Sequence, residues 1–206
     1  FGLHAYGAYA PVEKVNLIGT LSWMHNSSDI TQSINAAGFN KADADVKTNL
    51  FSLGARAEAN LPVGKANVIP HAGLRYVWAK SGSYDTKVDG KKVWGNTPDA
   101  TNTFQLPIGV AVRGDIMTVS GWNVRPQADL TFIPQFGDTE QKTKLSNFNG
   151  VSDKLSGEFA GKFGTSVNLG VQADKGPTTF GVRYGFTAGT KGKADHAFKF
   201  EYRYRF

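Results

Sequence analysis

The segment 197–206 reads AFKFEYRYRF, and it decides the fold of this chain. Aromatic residues stand at every second position of the segment, and charged residues fill the places between them. Successive side chains of a β-strand point to opposite faces, whereas no face of a helix has this spacing. The segment therefore predicts a strand with one aromatic face and one charged face. The aromatic residues are Phe198, Phe200, Tyr202, Tyr204 and Phe206, and the charged residues are Lys199, Glu201, Arg203 and Arg205.

A strand of this kind has two possible surroundings. In a water-soluble sandwich the aromatic face would be buried, whereas in a membrane barrel it meets lipid and the charged face lines a wet lumen. The mean hydropathy is negative, and no apolar run approaches the ~18 to 20 residues of a membrane helix. A barrel needs apolar residues only at alternate positions, so low hydropathy is compatible with it. Cysteine is absent, which excludes a disulfide scaffold and a thiolate metal site.

The same alternation recurs along the whole chain. It predicts eight strands and a ninth at residues 3–10, whose facing the sequence leaves ambiguous. No linker rich in Pro or Ser divides the chain, so we expect a single domain over residues 1–206. The eight predicted strands cover 15–23, 51–58, 68–78, 104–112, 122–132, 163–171, 180–186 and 198–206.

The lengths of the connections favour a membrane barrel over a sandwich. Short connections near 11–14, 61–65, 115–120 and 173–177 alternate with long polar ones near 24–47, 79–101 and 133–157. Outer-membrane barrels have short turns on the periplasmic side and longer loops outside. The strands, at ~9 to 12 residues, also suit a tilted bilayer span. We therefore expect an all-β, transmembrane, antiparallel up-and-down β-barrel with about nine of its strands in this chain, and an odd number implies further strands upstream.

Aromatic residues collect at the strand ends that border the long connections. A single Trp at a strand end is ordinary packing, but recurrence at one rim predicts an interfacial belt. The predicted belt consists of Trp23, Trp78, Phe104, Phe132, Phe159 and Phe186.

The faces opposite the apolar ones are strongly basic. We expect them to line a hydrated pore that could hold an extended hairpin or a helix with acidic residues. A second interpretation is that any barrel interior is polar and that these cations only pair with acidic partners. The predicted lumen residues are Arg56, Glu58, Arg75, Arg113, Arg125, Asp129, Lys162, Arg183, Lys199, Glu201 and Arg203.

Motifs for catalysis are scarce in the sequence. It has no GxSxG, HExxH or Walker-type phosphate loop, so no catalytic residue, metal ligand or cofactor is predicted. Asp195 and His196, opposite Asp29 or Asp138, are a conceivable hydrolase site, but an adjacent Asp and His in a loop are usually solvated. The positive charges alternate with aromatic residues instead of forming a patch, so nucleic acid is not an expected partner.

Three segments resemble a known family. The Pro-x-Ala-Gly-Leu-x-Tyr-Val strand at 70–77, the Leu-Pro-x-Gly-Val strand at 106–110 and the aromatic terminal strand occur in this order. Together with LFSLGARAEANLP at 50–62, they are similar to the translocator domain of autotransporters. The resemblance implies a barrel of twelve strands with an N-terminal helix through the pore. This chain would supply the last nine strands, without the helix, the first three strands and the passenger, and no cleavage residue is assigned.

The resemblance also implies a function. Such a domain anchors an autotransporter in the outer membrane of a Gram-negative bacterium and enables export of its upstream passenger. The expected partners are outer-membrane lipid, periplasmic chaperones, the passenger and the barrel assembly machinery, which would recognise the aromatic terminal strand by strand addition. We expect a monomer. Two alternatives remain: a porin-like or adhesive barrel without a passenger, and an outer-membrane hydrolase.

Overall fold

The computed structural model describes residues 1–36, 38–147, 152–158, 161–192 and 194–205. These residues form 16 strands of one antiparallel sheet and a short 3-10 turn at Thr190–Gly192, which confirms an all-β chain. No helix among them is long and apolar enough to cross a membrane. The strands are β1 Gly2–Val12, β2 Val15–Ala36, β3 Phe39–Ala59, β4 Leu61–Val63, β5 Ala66–Ser81, β6 Tyr84–Val88, β7 Lys91–Pro98, β8 Thr101–Gln105, β9 Ile108–Gly114, β10 Ile116–Met117, β11 Asn123–Gly137, β12 Glu140–Ser146, β13 Ser152–Glu158, β14 Phe163–Lys175, β15 Thr178–Gly189 and β16 Ala194–Tyr204.

All nine predicted strands are present, and they lie side by side in chain order. The order is β1, β2, β3, β5, β8 with β9, β11, β14, β15 and β16, and each pairs antiparallel with the next. We call this set the main sheet. β8 and β9 are two parts of one predicted strand, interrupted beside Pro107, which has no N–H for the ladder. Register also fixes the facing of β1, because Leu3 lies opposite Trp23.

The short connections at one end of the main sheet are tight turns, as the sequence predicts. Two of these connections contain a short strand that continues the pairing up to the turn, since β4 pairs with β5 and β10 pairs with β11. Gly64 and Gly176 turn the chain with φ of 61° and 55°, a region that glycine enters without strain. β1 and β16 each pair on one side only among the described residues.

The long connections at the other end are not loops. β2 and β3 continue as a paired ribbon to Ser33 opposite Lys41, and β6–β7 and β12–β13 are hairpins that add to β3 in the order β3, β6, β7, β12, β13. We call residues 27–33, residues 41–47, β6, β7, β12 and β13 the distal sheet. The sequence did not predict it because its polar hairpins pair with strands that are distant in the chain.

One hairpin of the distal sheet shows how the connections dock. Its turn has Asp89 and Gly90 at φ of 48° and 79°, the backbone of a two-residue hairpin with both central residues at positive φ. The Asp89 carboxylate accepts hydrogen bonds from the backbone N–H groups of Asn40 and Lys41 at 3.1 to 3.2 Å. The turn therefore fastens β6–β7 to the start of β3.

Burial in the main sheet is inverted relative to a water-soluble protein. Among the described residues only Ile69 and Ala111 are buried apolar residues, whereas the large apolar side chains of the outward strand positions are exposed. The polar face is the crowded one, as on the inner side of a curved sheet. The buried polar residues of this face are Ser52, His71, Thr101, Thr103, Thr131 and Thr179, and in the distal sheet Asn96 is buried as well.

Close packing on the polar face predicts that Gly109→Ala destabilises the protein. A Cβ at Gly109 would overlap the Leu130 carbonyl oxygen and would lie 2.6 Å from His71 Cε1. We expect a loss of about 1 to 3 kcal/mol. A Cβ at Gly19 would meet nothing within 4 Å, so Gly19→Ala is the matched control and should be close to neutral. Urea unfolding in detergent micelles measures both, and equal losses would contradict the packing argument.

Candidate functional site

The polar face of the main sheet carries nearly all of the predicted lumen residues. Register places Arg56 opposite Gly73, Arg75 opposite Gly54, and Asp129 opposite Asn168. Each of these residues points away from the apolar face, because side chains alternate along a strand. The strand residues on this face are Arg56, Glu58, Arg75, Arg113, Arg125, Asp129, Arg183, Lys199, Glu201 and Arg203, and Lys162 directly precedes β14.

A network of charged and polar side chains crosses the middle of this face. His71 Nε2 of β5 lies 3.1 Å from Asp129 Oδ2 of β11, and the His71 side chain is only 1% exposed. Thr131 donates a hydrogen bond to Asp129 at 2.6 Å, and an Arg56 guanidinium nitrogen lies 4.0 Å from the same carboxylate. Arg56 also pairs with Glu58 at 3.3 Å. The network therefore connects β3, β5 and β11.

Gly109 makes this network possible. It lies between His71 and Thr131 in the register of β5, β9 and β11. Since a side chain at Gly109 would meet the His71 ring, the absence of one leaves the room in which the ring passes β9 and reaches Asp129. Small residues on this face therefore do more than leave open space, because they also let neighbouring side chains reach each other.

Beside the network lies a cavity with an excess of positive charge. It has a volume of about 310 Å³, and Arg56, Arg113 and Arg183 line it together with Gln127 and Asn168. Arg183 also lies directly opposite Lys199 in the β15–β16 ladder. Among the described residues, neither Arg113 nor Arg183 has an ion pair with a carboxylate. Like charges opposite each other are unfavourable, so this region is suited to an anionic group.

Towards the tight-turn end, cations on the polar face do have partners. Arg125 pairs with Asp174, whose carboxylate also accepts hydrogen bonds from Gln172 at 3.1 Å and Thr179 at 2.8 Å. Arg203 pairs with Glu201 at 2.7 Å within β16. Some cations of the basic face are therefore neutralised locally, and others have no carboxylate partner among the described residues.

The apolar face carries the terminal aromatic side chains. Phe198 stacks beside Tyr184 with ring centroids 4.8 Å apart, and Tyr202 lies 5.2 Å from Phe180. Phe200 lies opposite Val182, so β16 contacts β15 through every outward position. Phe198, Phe200, Tyr202 and Tyr204 are all exposed on their other side. Phe206 lies outside the described residues.

Aromatic residues mark both ends of the apolar face. Of the predicted belt, Trp23, Trp78, Phe104, Phe132 and Phe186 lie on this face, and Phe159 falls outside the described residues. At the tight-turn end, a second group that the sequence analysis did not single out consists of Trp122, Phe180 and Tyr202, with centroids 6.1 and 5.2 Å apart. The sequence shows that these three aromatic residues alternate with polar residues. It does not show that they lie close together on neighbouring strands.

The conceivable hydrolase pair does not form a site. Asp195 lies opposite Thr187 and His196 opposite Phe186, so these consecutive residues of β16 point to opposite faces. His196 Nδ1 lies 2.9 Å from the Tyr184 hydroxyl on the apolar face. Asp138 accepts a hydrogen bond from the backbone N–H of Asn102.

The distal sheet reverses the polarity of the two faces. The β2–β3 register is unbroken from Val15 opposite Ala59 to Ser33 opposite Lys41, so each face can be followed along both strands. The face that is apolar in the main sheet becomes charged in the distal sheet. The face that is polar in the main sheet carries mostly uncharged side chains there, both apolar (Ile30, Trp94, Leu155) and polar (Ser28, Gln32, Gln141). The charged face has Asp29, Lys41, Asp43, Asp45, Lys47, Asp85, Lys87, Lys92, Glu140, Lys142, Lys144, Lys154 and Glu158.

One carboxyl on the charged face is held ionised by its neighbours. The Lys41 ammonium, 3.1 Å away, and the Thr31 hydroxyl, which donates at 2.9 Å, lower the pKa of Asp43 below its ordinary value. Asp43 therefore keeps its negative charge to a lower pH than an aspartate without these neighbours.

Two parts of the site were not predicted from the sequence. The first is the contact of His71 with Asp129, which joins residues 58 positions apart. The second is the set of distal hairpins, which were expected to be loops, although the dipeptide Asp89-Gly90 directly after Val88 is a strong hairpin signal.

The sequence matches the model of a known protein family over most of its length. A family model described as "Autotransporter: Autotransporter beta-domain" matches residues 1–185. No curated protein matches the sequence significantly. The matched region contains β1 to β14 and the larger part of β15, and with them the central polar network.

The His71–Asp129 contact predicts that Asp129→Ala is strongly destabilising. The substitution would leave the buried His71 ring and the Arg56 guanidinium without their shared acceptor, at a cost of about 2 to 4 kcal/mol. Glu201→Ala breaks the exposed pair with Arg203 and should cost less than about 1 kcal/mol. Urea unfolding of the refolded variants measures the difference. Equal effects of the two substitutions would contradict a structural role for the network.

Proposed function

The chain belongs to the autotransporter β-domain family, and from this we propose that it spans the outer membrane of a Gram-negative bacterium as a β-barrel that anchors its protein. In this proposal the polar face lines the lumen through which an upstream passenger reaches the cell surface. Members of the family are translocators and not catalytic domains, so the role assigned to this chain is transport and anchoring.

The inverted burial is the observation that best supports the proposal. Large apolar side chains, many of them exposed, lie on one face of nine neighbouring strands, and polar side chains crowd together on the other. In water an exposed apolar surface of this extent would cause aggregation, whereas lipid solvates it. Aromatic side chains at both ends of that face match the two interfaces of a bilayer.

The two sheet edges support a larger barrel. Unpaired backbone groups are costly in lipid, so a spanning sheet has to close on itself. β1 and β16 pair on one side only among the described residues, and they do not pair with each other. We infer a single translocator domain in which upstream strands complete the barrel between β1 and β16, with a helix of the same protein in the pore.

The terminal strand has the features of an assembly signal. Its aromatic side chains are exposed, and its outer edge is unpaired among the described residues. An edge strand can be recognised by strand addition, in which the backbone provides affinity and alternate side chains provide specificity. We therefore assign recognition by the barrel assembly machinery to Phe198, Phe200, Tyr202, Tyr204 and Phe206, after delivery by periplasmic chaperones.

The basic cavity supports transport of an acidic or polar segment. Arg113 and Arg183 have no carboxylate partner among the described residues, so an acidic side chain in the lumen could pair with either. A monomer surrounded by lipid needs no further partner for this step. The arginines would hold a passing segment loosely, because the hydrated lumen screens each pair.

We predict that the full-length protein exposes its passenger at the cell surface. The protein should be heat-modifiable on gels after extraction from outer membranes, because a closed barrel resists detergent until it is heated. An impermeant label should react with residues upstream of the domain in intact cells. A freely soluble domain would contradict the membrane assignment, and an inserted domain without a labelled passenger would favour a porin-like or adhesive barrel.

Deletion of Phe206 should impair assembly more than stability. The amount of heat-modifiable protein in cells should fall several-fold, because recognition of the terminal strand precedes insertion. The purified, refolded variant should lose less than about 1 kcal/mol in urea unfolding. Phe104→Ala, which removes an aromatic side chain from an internal strand on the same face, is the control and should show the opposite pattern. Equal loss of assembly and stability after Phe206 deletion would assign this residue to packing alone.

A further inference from the structure

A row of aromatic side chains crosses β2, β3 and β5 near the long-connection end of the apolar face. Trp23 lies opposite Phe51, and Phe51 lies opposite Trp78, so the three side chains are neighbours across two ladders. We call these residues the aromatic row. Tryptophan side chains in membrane proteins are enriched where hydrocarbon meets the lipid headgroups. The side chains that come next on this face, away from the tight turns, are therefore those that a headgroup would meet.

The next two rows on this face bring two lysines and an asparagine together. Asn49 lies opposite Lys80 one row beyond the aromatic row, and Lys47 lies two residues from Asn49 on the same face of β3. Directly opposite residues have Cβ atoms about 5 Å apart, and diagonal neighbours are about 7 to 8 Å apart. Two ammonium groups and one amide can therefore converge on a single acceptor.

The hydrogen-bond donors of these three residues are free. Lys47 and Lys80 are exposed, and neither forms an ion pair within the described part of the chain. The amide oxygen of Asn49 lies 2.9 Å from His25 Nδ1 and accepts a hydrogen bond from that ring. The amide nitrogen of Asn49 has no acceptor among the residues that the structure describes. The group is thus suited to a ligand that carries negative charge and accepts several hydrogen bonds.

Depth separates this group from other lysines on the same face. The headgroup region adds about 5 to 7 Å to each side of the hydrocarbon core, which is close to the spacing of one row along a tilted strand. Lys80 therefore lies at headgroup depth, and the long stem of Lys47 can reach the same level from the next row. Lys87 lies opposite Asp43, four rows beyond Phe51, and Lys92 lies opposite Lys87. These two lysines are too far from the aromatic row to contact the same headgroup.

The other side of the main sheet has no such group. Beyond Phe186 of β15, which lies opposite His196, the next outward pair is Ala188 opposite Ala194. Neither alanine can attract an anion. The free cations nearest the aromatic row therefore distinguish β3 and β5 from β15 and β16.

We propose that Lys47, Asn49 and Lys80 bind a phosphate group of the phosphorylated glycolipid in the outer leaflet of the membrane. We call the three residues the phosphate site, and its assignment rests on the membrane position in the proposed function. Both ammonium groups would donate charge-assisted hydrogen bonds to the phosphate oxygens. The acyl chains of the same molecule would pack against Trp78 and Phe51.

The neighbouring aromatic row favours a lipid over a free anion. A free phosphate ion would contact only the polar groups, whereas a lipid also covers the apolar surface directly beside them. Because the group lies on one side of the sheet, a bound lipid would hold β3 and β5 at a fixed depth. These are the strands beside which the β2–β3 ribbon rises out of the membrane.

Lipid binding to the purified full-length protein tests the proposal. The protein is kept in detergent and titrated with bisphosphorylated lipid A, and native mass spectrometry measures the bound fraction. We expect Lys47→Gln combined with Lys80→Gln to weaken binding about tenfold, because each ammonium supplies a charge-assisted hydrogen bond. Lys47→Arg combined with Lys80→Arg keeps both charges and should bind as tightly as the wild-type protein.

The matched control removes the same charge from the same face further from the membrane. Lys87→Gln combined with Lys92→Gln should leave binding unchanged. The wild-type protein should bind dephosphorylated lipid A as weakly as the Lys47→Gln, Lys80→Gln variant binds the bisphosphorylated form. All these variants should remain heat-modifiable, since none changes a side chain within the main-sheet network.

Several results would overturn the phosphate site. Equal losses in the two glutamine pairs would indicate an effect of net charge alone, and equal binding of both forms of lipid A would exclude the phosphate as the bound group. Displacement of lipid A by an equal concentration of inorganic phosphate would assign a free anion instead. Heat-modifiability of the wild-type protein is scored separately. Its failure would contradict the membrane assignment, whereas a heat-modifiable protein without phosphate-dependent binding would contradict only the phosphate site.

Discussion

The alternation of side chains along paired strands is the constraint on which the whole structure depends. Because each strand places successive residues on opposite faces, an unbroken register carries one face across many strands. From β1 to β16 this keeps most large apolar side chains of the main sheet on one side and most charges on the other, although Ile18, Ile69 and Ile133 lie on the polar face. A slip of one residue in any ladder would move a strand's arginines into the apolar face, so register and solvent preference reinforce each other.

The two faces are specialised in different ways. The apolar face has aromatic side chains at both ends, and it needs no specific partner, only an apolar solvent such as lipid. The polar face needs specific contacts. Arg56 and His71 come from two different strands, and both contact the carboxylate of Asp129 on a third strand. Gly109 provides the space for that contact, which explains why a residue without a side chain lies at this crowded position of the sheet. The polar face therefore has fixed, paired charges in some places and unpaired arginines in others.

Much of the main sheet could be predicted from the chain alone. Nine strands, their short connections and the facing of eight of them followed from a period of two, and the aromatic terminal segment stood out by composition. The distal sheet could not be predicted in this way, because β6, β7, β12 and β13 are polar and find partners far away in sequence. The contact of His71 with Asp129 was equally hidden, since two strand residues 58 positions apart meet only when three ladders are in register.

The sequence by itself determined which side chains share a face, because alternation along a strand is a local property of the backbone. It therefore determined that one face is aromatic, that the other is basic, and that AFKFEYRYRF ends the chain with unbroken aromatic alternation. Only the tertiary structure decided which of the basic residues are neutralised, and it decided that the long connections form a sheet with reversed polarity. The reason is that both depend on the order of the strands and on their relative register, which no single segment encodes.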